Sequence, residues 1–104
     1  PGALAFYTSA NVDTSDNGGE GAWSEKMRIT SAGNVGIGTT SPGQKLEVNG
    51  GVRLNTTTAK PTCDSTVRGT MWFEQSASGS DDYMFACMKN AANSYNWVLV
   101  ARGS

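Results

Sequence analysis

Apolar and polar residues alternate along several short stretches of the chain, and helical spacing is almost absent. A period of two is typical of a strand that buries one face. Gly, Asn, Ser and Asp separate these stretches, and they favour tight turns. The pattern predicts an all-β protein with strands at residues 4–8, 27–30, 35–38, 46–48, 52–54, 67–74, 83–89 and 95–101.

One turn is marked more strongly than the others. Residues 49–51, Asn-Gly-Gly, accept the positive φ that hairpin turns require, and an alternating segment lies on each side of them. We therefore predict a hairpin that joins 46–48 to 52–54. Residues 11–21 are predicted to form a polar loop, after which Trp23 stands alone before the next strand.

The composition changes at the Thr-rich connector 55–61, before which bulky residues are sparse and after which the strands are longer and aromatic. This change predicts two modules, 1–55 and 56–104. The first module has too few large apolar side chains to offset about 1–2 kcal/mol of backbone entropy per ordered residue. It must bury its apolar stripe against another chain, so the sequence predicts an intertwined oligomer.

Charge and composition exclude several functions. Eight Lys and Arg residues against nine Asp and Glu give a net charge of −1, which argues against nucleic-acid binding. The absence of His excludes Ser-His and Cys-His catalysis and His-ligated zinc. No apolar run approaches the roughly 20 residues of a membrane-spanning helix, so we expect no membrane insertion. A structural or binding module without catalysis, cofactor or metal is expected.

The chain has two cysteines, Cys63 and Cys87, which are 24 positions apart. A disulfide between them would contribute about 3.5 kcal/mol by restricting the unfolded chain, and it would suit an extracellular protein. Two buried free thiols are the alternative, and the sequence leaves both open.

Residues 27–50, which include GNVGIGTTSPGQKLEVNG at 33–50, resemble a repeat of bacteriophage tail fibres and tailspikes, and the specific core of the resemblance is GNVGIGTTSP at 33–42. Residues 4–8 and 25–29 fit the same context. The resemblance implies an intertwined homotrimeric β shaft segment over 1–55. The expected trimer core, facing the threefold axis or adjacent chains, is Ile29, Val35, Ile37, Leu46, Val48, Val52 and Leu54.

The segment after the repeat departs from many relatives of that family. They continue with a self-cleaving intramolecular chaperone domain, and no such domain is recognisable after Val52. Residues 61–104 instead resemble a small β module found at the ends of various phage and bacterial surface proteins, here a predicted antiparallel tip within 56–104. Because the chain begins at Pro1 without Met, we expect it to belong to a longer protein.

The resemblance implies a virion tail fibre protein, outside the cell, that attaches to a host-surface receptor. The receptor is expected to be a carbohydrate or a protein, bound by loops such as 75–82 and 90–94 with three copies acting together. Two alternatives stay open. The tip can be a trimerisation cap with no ligand, or the fragment can be the non-catalytic end of a glycan-degrading tailspike, whose paired acids would lie elsewhere.

Four aromatic residues of the second module are candidates for sugar stacking, because an aromatic ring covers an apolar sugar face while its polar atoms form hydrogen bonds. Core or interface packing is the alternative, which we favour. The acidic pair Asp81-Asp82, with Glu74 or Asp64 nearby in sequence, has the oxygen ligands that calcium prefers, but we expect the pair to be a solvated turn instead. The four candidate ligand-binding residues are Trp72, Tyr83, Tyr95 and Trp97.

Overall fold

The structure is a computed structural model that describes residues 2–9 and 23–104; the predicted polar loop 11–21 lies outside them. Strands and turns make up the described ranges, with no helix among them, so the predicted all-β class is confirmed. No helix in these ranges is long and apolar enough to cross a bilayer. The chain divides into two compact units, Pro1–Val52 and Arg53–Ser104, here termed the first and second units.

The first unit contains a four-stranded sheet in the order β1-β2-β3-β4. The first two pairings are antiparallel and the third, between β3 and β4, is parallel. Trp23, expected to stand alone, begins β2 and pairs with Ser9. The strands are β1 (Leu4–Ser9), β2 (Trp23–Ile29), β3 (Val35–Ile37) and β4 (Leu46–Val48).

The predicted hairpin at 49–51 is wrong. Residues 52–54 form no strand, and β4 pairs with β3 instead. The backbone N–H of Asn49 donates to the Ile37 carbonyl at 2.8 Å, so this residue extends the parallel ladder where a hairpin would reverse the chain. Turn-forming residues beside an alternating segment thus did not reveal which strand is its partner.

Loop 39–43 packs on the sheet around Gly36. A Cβ atom at Gly36 would lie 2.5 Å from the Thr39 carbonyl oxygen and 3.3 Å from Pro42 Cδ, so only glycine allows this close approach. Pro42 is buried, and the Arg28 guanidinium donates to the Thr40 carbonyl at 3.2 Å. Backbone contact and hydrogen bonds therefore hold loop 39–43 against this face of the sheet.

The second unit contains an antiparallel three-stranded sheet in the order β5-β6-β7, which agrees with the predicted antiparallel tip. The strand expected at 67–74 is shorter, because residues 65–69 form turns. The strands are β5 (Met71–Glu74), β6 (Tyr83–Lys89) and β7 (Tyr95–Arg102).

A disulfide joins Cys63 to Cys87 with a Cα–Cα distance of 5.5 Å. Cys87 on β6 has no exposed surface, and Cys63 and Ala86 are also buried. The chain leading to Cys63 is thereby fixed to the central strand of its own sheet. This bond and its neighbours form the small core of the second unit.

Candidate functional site

One face of the sheet in the first unit carries a continuous apolar patch that extends over all four strands. The register places Leu4 opposite Ile29 and Val35 opposite Leu46, and opposite residues share a face. None of its eight side chains is buried: Leu46 is 60% exposed and Phe6 is 48% exposed. The face consists of Leu4, Phe6, Met27, Ile29, Val35, Ile37, Leu46 and Val48.

This apolar face contains five of the seven residues expected in the trimer core. The other two, Val52 and Leu54, follow β4 and belong to no strand. Leu4, Phe6 and Met27 were absent from the expected core, although each pairs with a neighbouring strand on this face. The pairing register is the information that the sequence pattern lacked.

Two of the four candidate aromatics lie side by side. Trp72 is opposite Phe85 and Trp97 is opposite Cys87, so both rings lie on one face of the second sheet. Their centroids are 6.2 Å apart and their planes are tilted by 57°. Trp97 Nε1 donates to the Pro61 carbonyl at 2.8 Å, which binds the connector to the sheet.

The other two candidates lie apart. Tyr83 stacks on Phe85 at 5.8 Å and borders a cavity of about 310 Å³ that Arg102 also lines. Tyr95 pairs with Lys89 at the opposite end of β6. Tyr83 and Lys89 are six residue steps apart along β6, which corresponds to about 20 Å. The four aromatics therefore do not form one continuous platform.

A cleft of about 300 Å³ lies between residues 56–60 and strand β5, and the sequence did not predict it. Its walls carry three consecutive threonines, Lys60, Trp72, Glu74 and Gln75. The Thr-rich stretch has the composition of a connector between modules. The available signal was Cys63 just downstream, since pairing with Cys87 brings this stretch onto the sheet.

Several contacts fix the connector wall of this cleft. Thr56 Oγ1 donates to the Phe73 carbonyl, and Gln75 Nε2 donates to Asn55 Oδ1 at 3.1 Å. The Lys60 ammonium lies 3.6 Å from the Phe85 ring centroid, in cation–π contact. The cleft is therefore built by contacts at both ends of the segment.

The carboxylates considered for calcium serve separate local contacts. Asp82 Oδ1 accepts from the Ser76 N–H at 2.7 Å, and Asp81 lies 3.6 Å from the Arg102 guanidinium. Asp64 Oδ1 accepts from the Thr66 hydroxyl at 2.5 Å, and this bond lowers the pKa of Asp64. Among the described residues, no three potential metal ligands come together.

No protein-family model, curated protein or solved structure matches the chain.

Proposed function

We propose that this chain is the distal part of a bacteriophage tail fibre, in which three copies intertwine and attach the virion to a host-surface carbohydrate. Residues 1–55 would form the last shaft segment and residues 56–104 the tip. The fibre assignment is carried by the resemblance of residues 27–50 to the shaft repeat. The structural support comes from the apolar face of the first sheet.

The proposed assembly depends on that apolar face. Eight large apolar side chains lie together on it, none of them is buried, and no charged side chain occupies its paired positions. Exposed apolar surface of this extent is typical of an interaction site. Packing against the same face of two further chains would bury these eight side chains.

The second unit supports attachment because it presents rigid surface features. The disulfide fixes the connector, while Trp72 and Trp97 are in contact with each other and each is only half-buried. Three linked copies convert weak single-site binding into strong overall binding. Attachment by such a tip requires no chemical reaction.

We include no catalysis in this proposal. Glycoside hydrolysis generally uses two carboxyl groups that flank the scissile bond. The carboxylates of Asp64, Asp81 and Asp82 contact Thr66, Arg102 and Ser76 respectively. A glycan-release assay with the chain should therefore detect no turnover, and released sugar would instead favour the tailspike alternative.

Sedimentation equilibrium in non-reducing buffer tests the assembly. Three chains of 10.9 kDa give about 32.7 kDa, and we expect this mass over a wide concentration range. A folded species of 10.9 kDa at every concentration would overturn the intertwined trimer. A glycan array probed with the trimer then tests attachment, and saccharide binding is the expected result.

A further inference from the structure

The cleft beside β5 has the size and lining of a site for a small polar ligand. Its volume of about 300 Å³ is at the lower end of the range for small-molecule sites. One wall is formed by residues 56–60, with Thr57 and Thr58 exposed, and the other carries Trp72, Glu74 and Gln75. An aromatic ring and several hydrogen-bonding groups therefore converge on one space.

These groups match a ligand that is both apolar and rich in hydroxyls. The indole of Trp72 offers an aromatic surface for C–H groups. Threonine hydroxyls donate and accept hydrogen bonds, the Gln75 amide does both, and the Glu74 carboxylate only accepts. A saccharide ring has an apolar C–H face and a rim of hydroxyls that each donate and accept, so it can satisfy both kinds of group.

The charges in the cleft favour a neutral saccharide over an acidic one. Lys60 is the cation in the lining, and its ammonium is engaged with the Phe85 ring at 3.6 Å and lies 3.9 Å from Glu74 Oε1. That ammonium therefore balances Glu74. A sialic or uronic acid would bring its carboxylate beside Glu74 with no unengaged cation in the lining to compensate it.

Contacts on both sides of residues 57–59 attach the connector wall to the sheet before any ligand enters. The connector wall is bound to the sheet by Thr56, by Trp97 through the Pro61 carbonyl, and by the Cys63–Cys87 bond. Groups that are already ordered lose less entropy when a ligand binds. The site therefore does not need to be assembled by its ligand.

From these observations we infer that the cleft binds one ring of a neutral saccharide. Trp72 packs against its apolar face, and Glu74 accepts a hydrogen bond from a hydroxyl. This inference rests on the proposed function of carbohydrate attachment and names the site that performs it.

The test uses the full chain labelled with ¹⁵N and titrated with three neutral disaccharides, lactose, maltose and N,N′-diacetylchitobiose. Sialyllactose serves as the acidic counterpart. We expect at least one neutral disaccharide to shift the Trp72 indole signal and the amide signals of 56–60, 74 and 75, with a millimolar dissociation constant. Sialyllactose should bind at least about tenfold more weakly, because its carboxylate meets Glu74.

Two variants identify the site. Trp72→Ala should weaken binding by at least about tenfold, and Glu74→Gln by about tenfold through loss of a charge-assisted hydrogen bond. Glu74 is at the edge of the sheet and its substitution keeps the size of the side chain, so this variant tests the site even if Trp72→Ala unfolds. Met88→Ala is the control and should bind normally, since Met88 is exposed on the face of β6 opposite that of Phe85 and does not line the cleft.

The possible results distinguish binding in the cleft from carbohydrate attachment elsewhere on the chain. Shifts that map to Tyr83 or Tyr95 and are insensitive to Glu74→Gln would overturn the cleft and leave carbohydrate attachment intact. Absence of any shift with all three neutral disaccharides, in a chain of trimer mass, would overturn both and favour a capping module. Preferred binding of sialyllactose would contradict the neutral-saccharide assignment.

Discussion

The two units contain the same kind of hairpin turn but differ in how many of their side chains are buried. In the first unit Thr30 N–H donates to the Asn34 carbonyl at 2.9 Å, with Gly33 at φ +84°. In the second unit Asn90 N–H donates to the Ser94 carbonyl at the same distance, with Asn93 at φ +63°. The residue with positive φ closes a hairpin in each case.

Burial separates the units. In the second unit, the disulfide joins Cys63 to the fully buried Cys87 of strand β6. In the first unit, none of the eight side chains on the apolar face of the sheet is buried. Both units thus form strands joined by the same turn, whereas the covalent crosslink and, within residues 2–9 and 23–104, the buried Cys and Ala side chains lie in the second. Differences in the source of stability predict different responses to substitution.

The largest expected effect is on assembly. In the proposed trimer, Leu46→Ser removes about 1.5 kcal/mol of apolar burial from each chain and about 4.5 kcal/mol from three chains. That loss weakens association by about three orders of magnitude. Sedimentation equilibrium should show dissociation at concentrations where the parent chain is trimeric.

Two controls make this experiment a comparison of the units. Gln44→Ser changes an exposed polar residue of the same region and should leave the mass unchanged. Met71→Ser changes a 65% exposed side chain on β5 and should have the smaller effect, because the second unit has its own core. Dissociation by Met71→Ser with a normal mass for Leu46→Ser would show that the second unit drives assembly.

The next largest effect concerns the crosslink. Replacing both Cys63 and Cys87 with Ala should cost about 3.5 kcal/mol in the second unit, because the unfolded chain regains the freedom of a closed loop. Amide hydrogen exchange should show lost protection in β5, β6 and β7 and retained protection in β2 and β3. The parent chain under reducing conditions should reproduce this pattern.

Equal loss of protection in both sheets would contradict the separation between the units. It would mean that the stability of the first unit depends on the disulfide in the second. Retained protection in both sheets would mean that the core around Cys87 is sufficient without its bond to Cys63.

A smaller effect is expected at the close approach in the first unit. Gly36→Ala places a Cβ atom 2.5 Å from the Thr39 carbonyl, so β3 or the loop must shift, at about 1–3 kcal/mol. Gly51→Ala is the matched control, since nothing lies within 4 Å of its Cβ position. The free energy of unfolding from chemical denaturation, together with amide exchange protection in β3, should be lower for Gly36→Ala than for Gly51→Ala. Equal stabilities would show that loop 39–43 does not press on the sheet.

The sequence predicted much of the second unit because its signals were local. A long apolar and aromatic run predicted the full extent of β6, and the period of a strand placed Trp72 on the face opposite Met71 and Phe73, in agreement with the register. These assignments need only the local pattern along a strand. Turn composition likewise identified the loop at 90–94 between β6 and β7.

The features that the sequence missed depended on partners distant in the chain. Periodicity cannot specify that β4 pairs in parallel with β3, so the turn chemistry of residues 49–51 predicts a hairpin that does not form. The cleft at 56–60 depends on the Cys63–Cys87 bond, one of two alternatives that residue spacing left open. Both misses are questions of long-range pairing, on which local pattern carries no information.

The smallest predicted effect is a pH dependence in the stability of the second unit, and it arises at the turn after Cys63. Asp64 Oδ1 accepts from the Thr66 hydroxyl and from the Thr66 N–H at 2.9 Å, and these bonds lower the pKa of Asp64 below its ordinary value of 3.8. The charged form is therefore favoured in the folded state. The stability that the Asp64 carboxylate contributes is fully present above its pKa in the unfolded chain and is lost as pH falls through its pKa in the folded chain.

Thermal unfolding at decreasing pH should show this loss for the parent chain and a weaker dependence for Asp64→Asn, whose amide oxygen still accepts but does not titrate. Identical pH profiles would place the acid sensitivity elsewhere, and a Thr66 amide signal that does not move with pH would contradict the hydrogen bond itself.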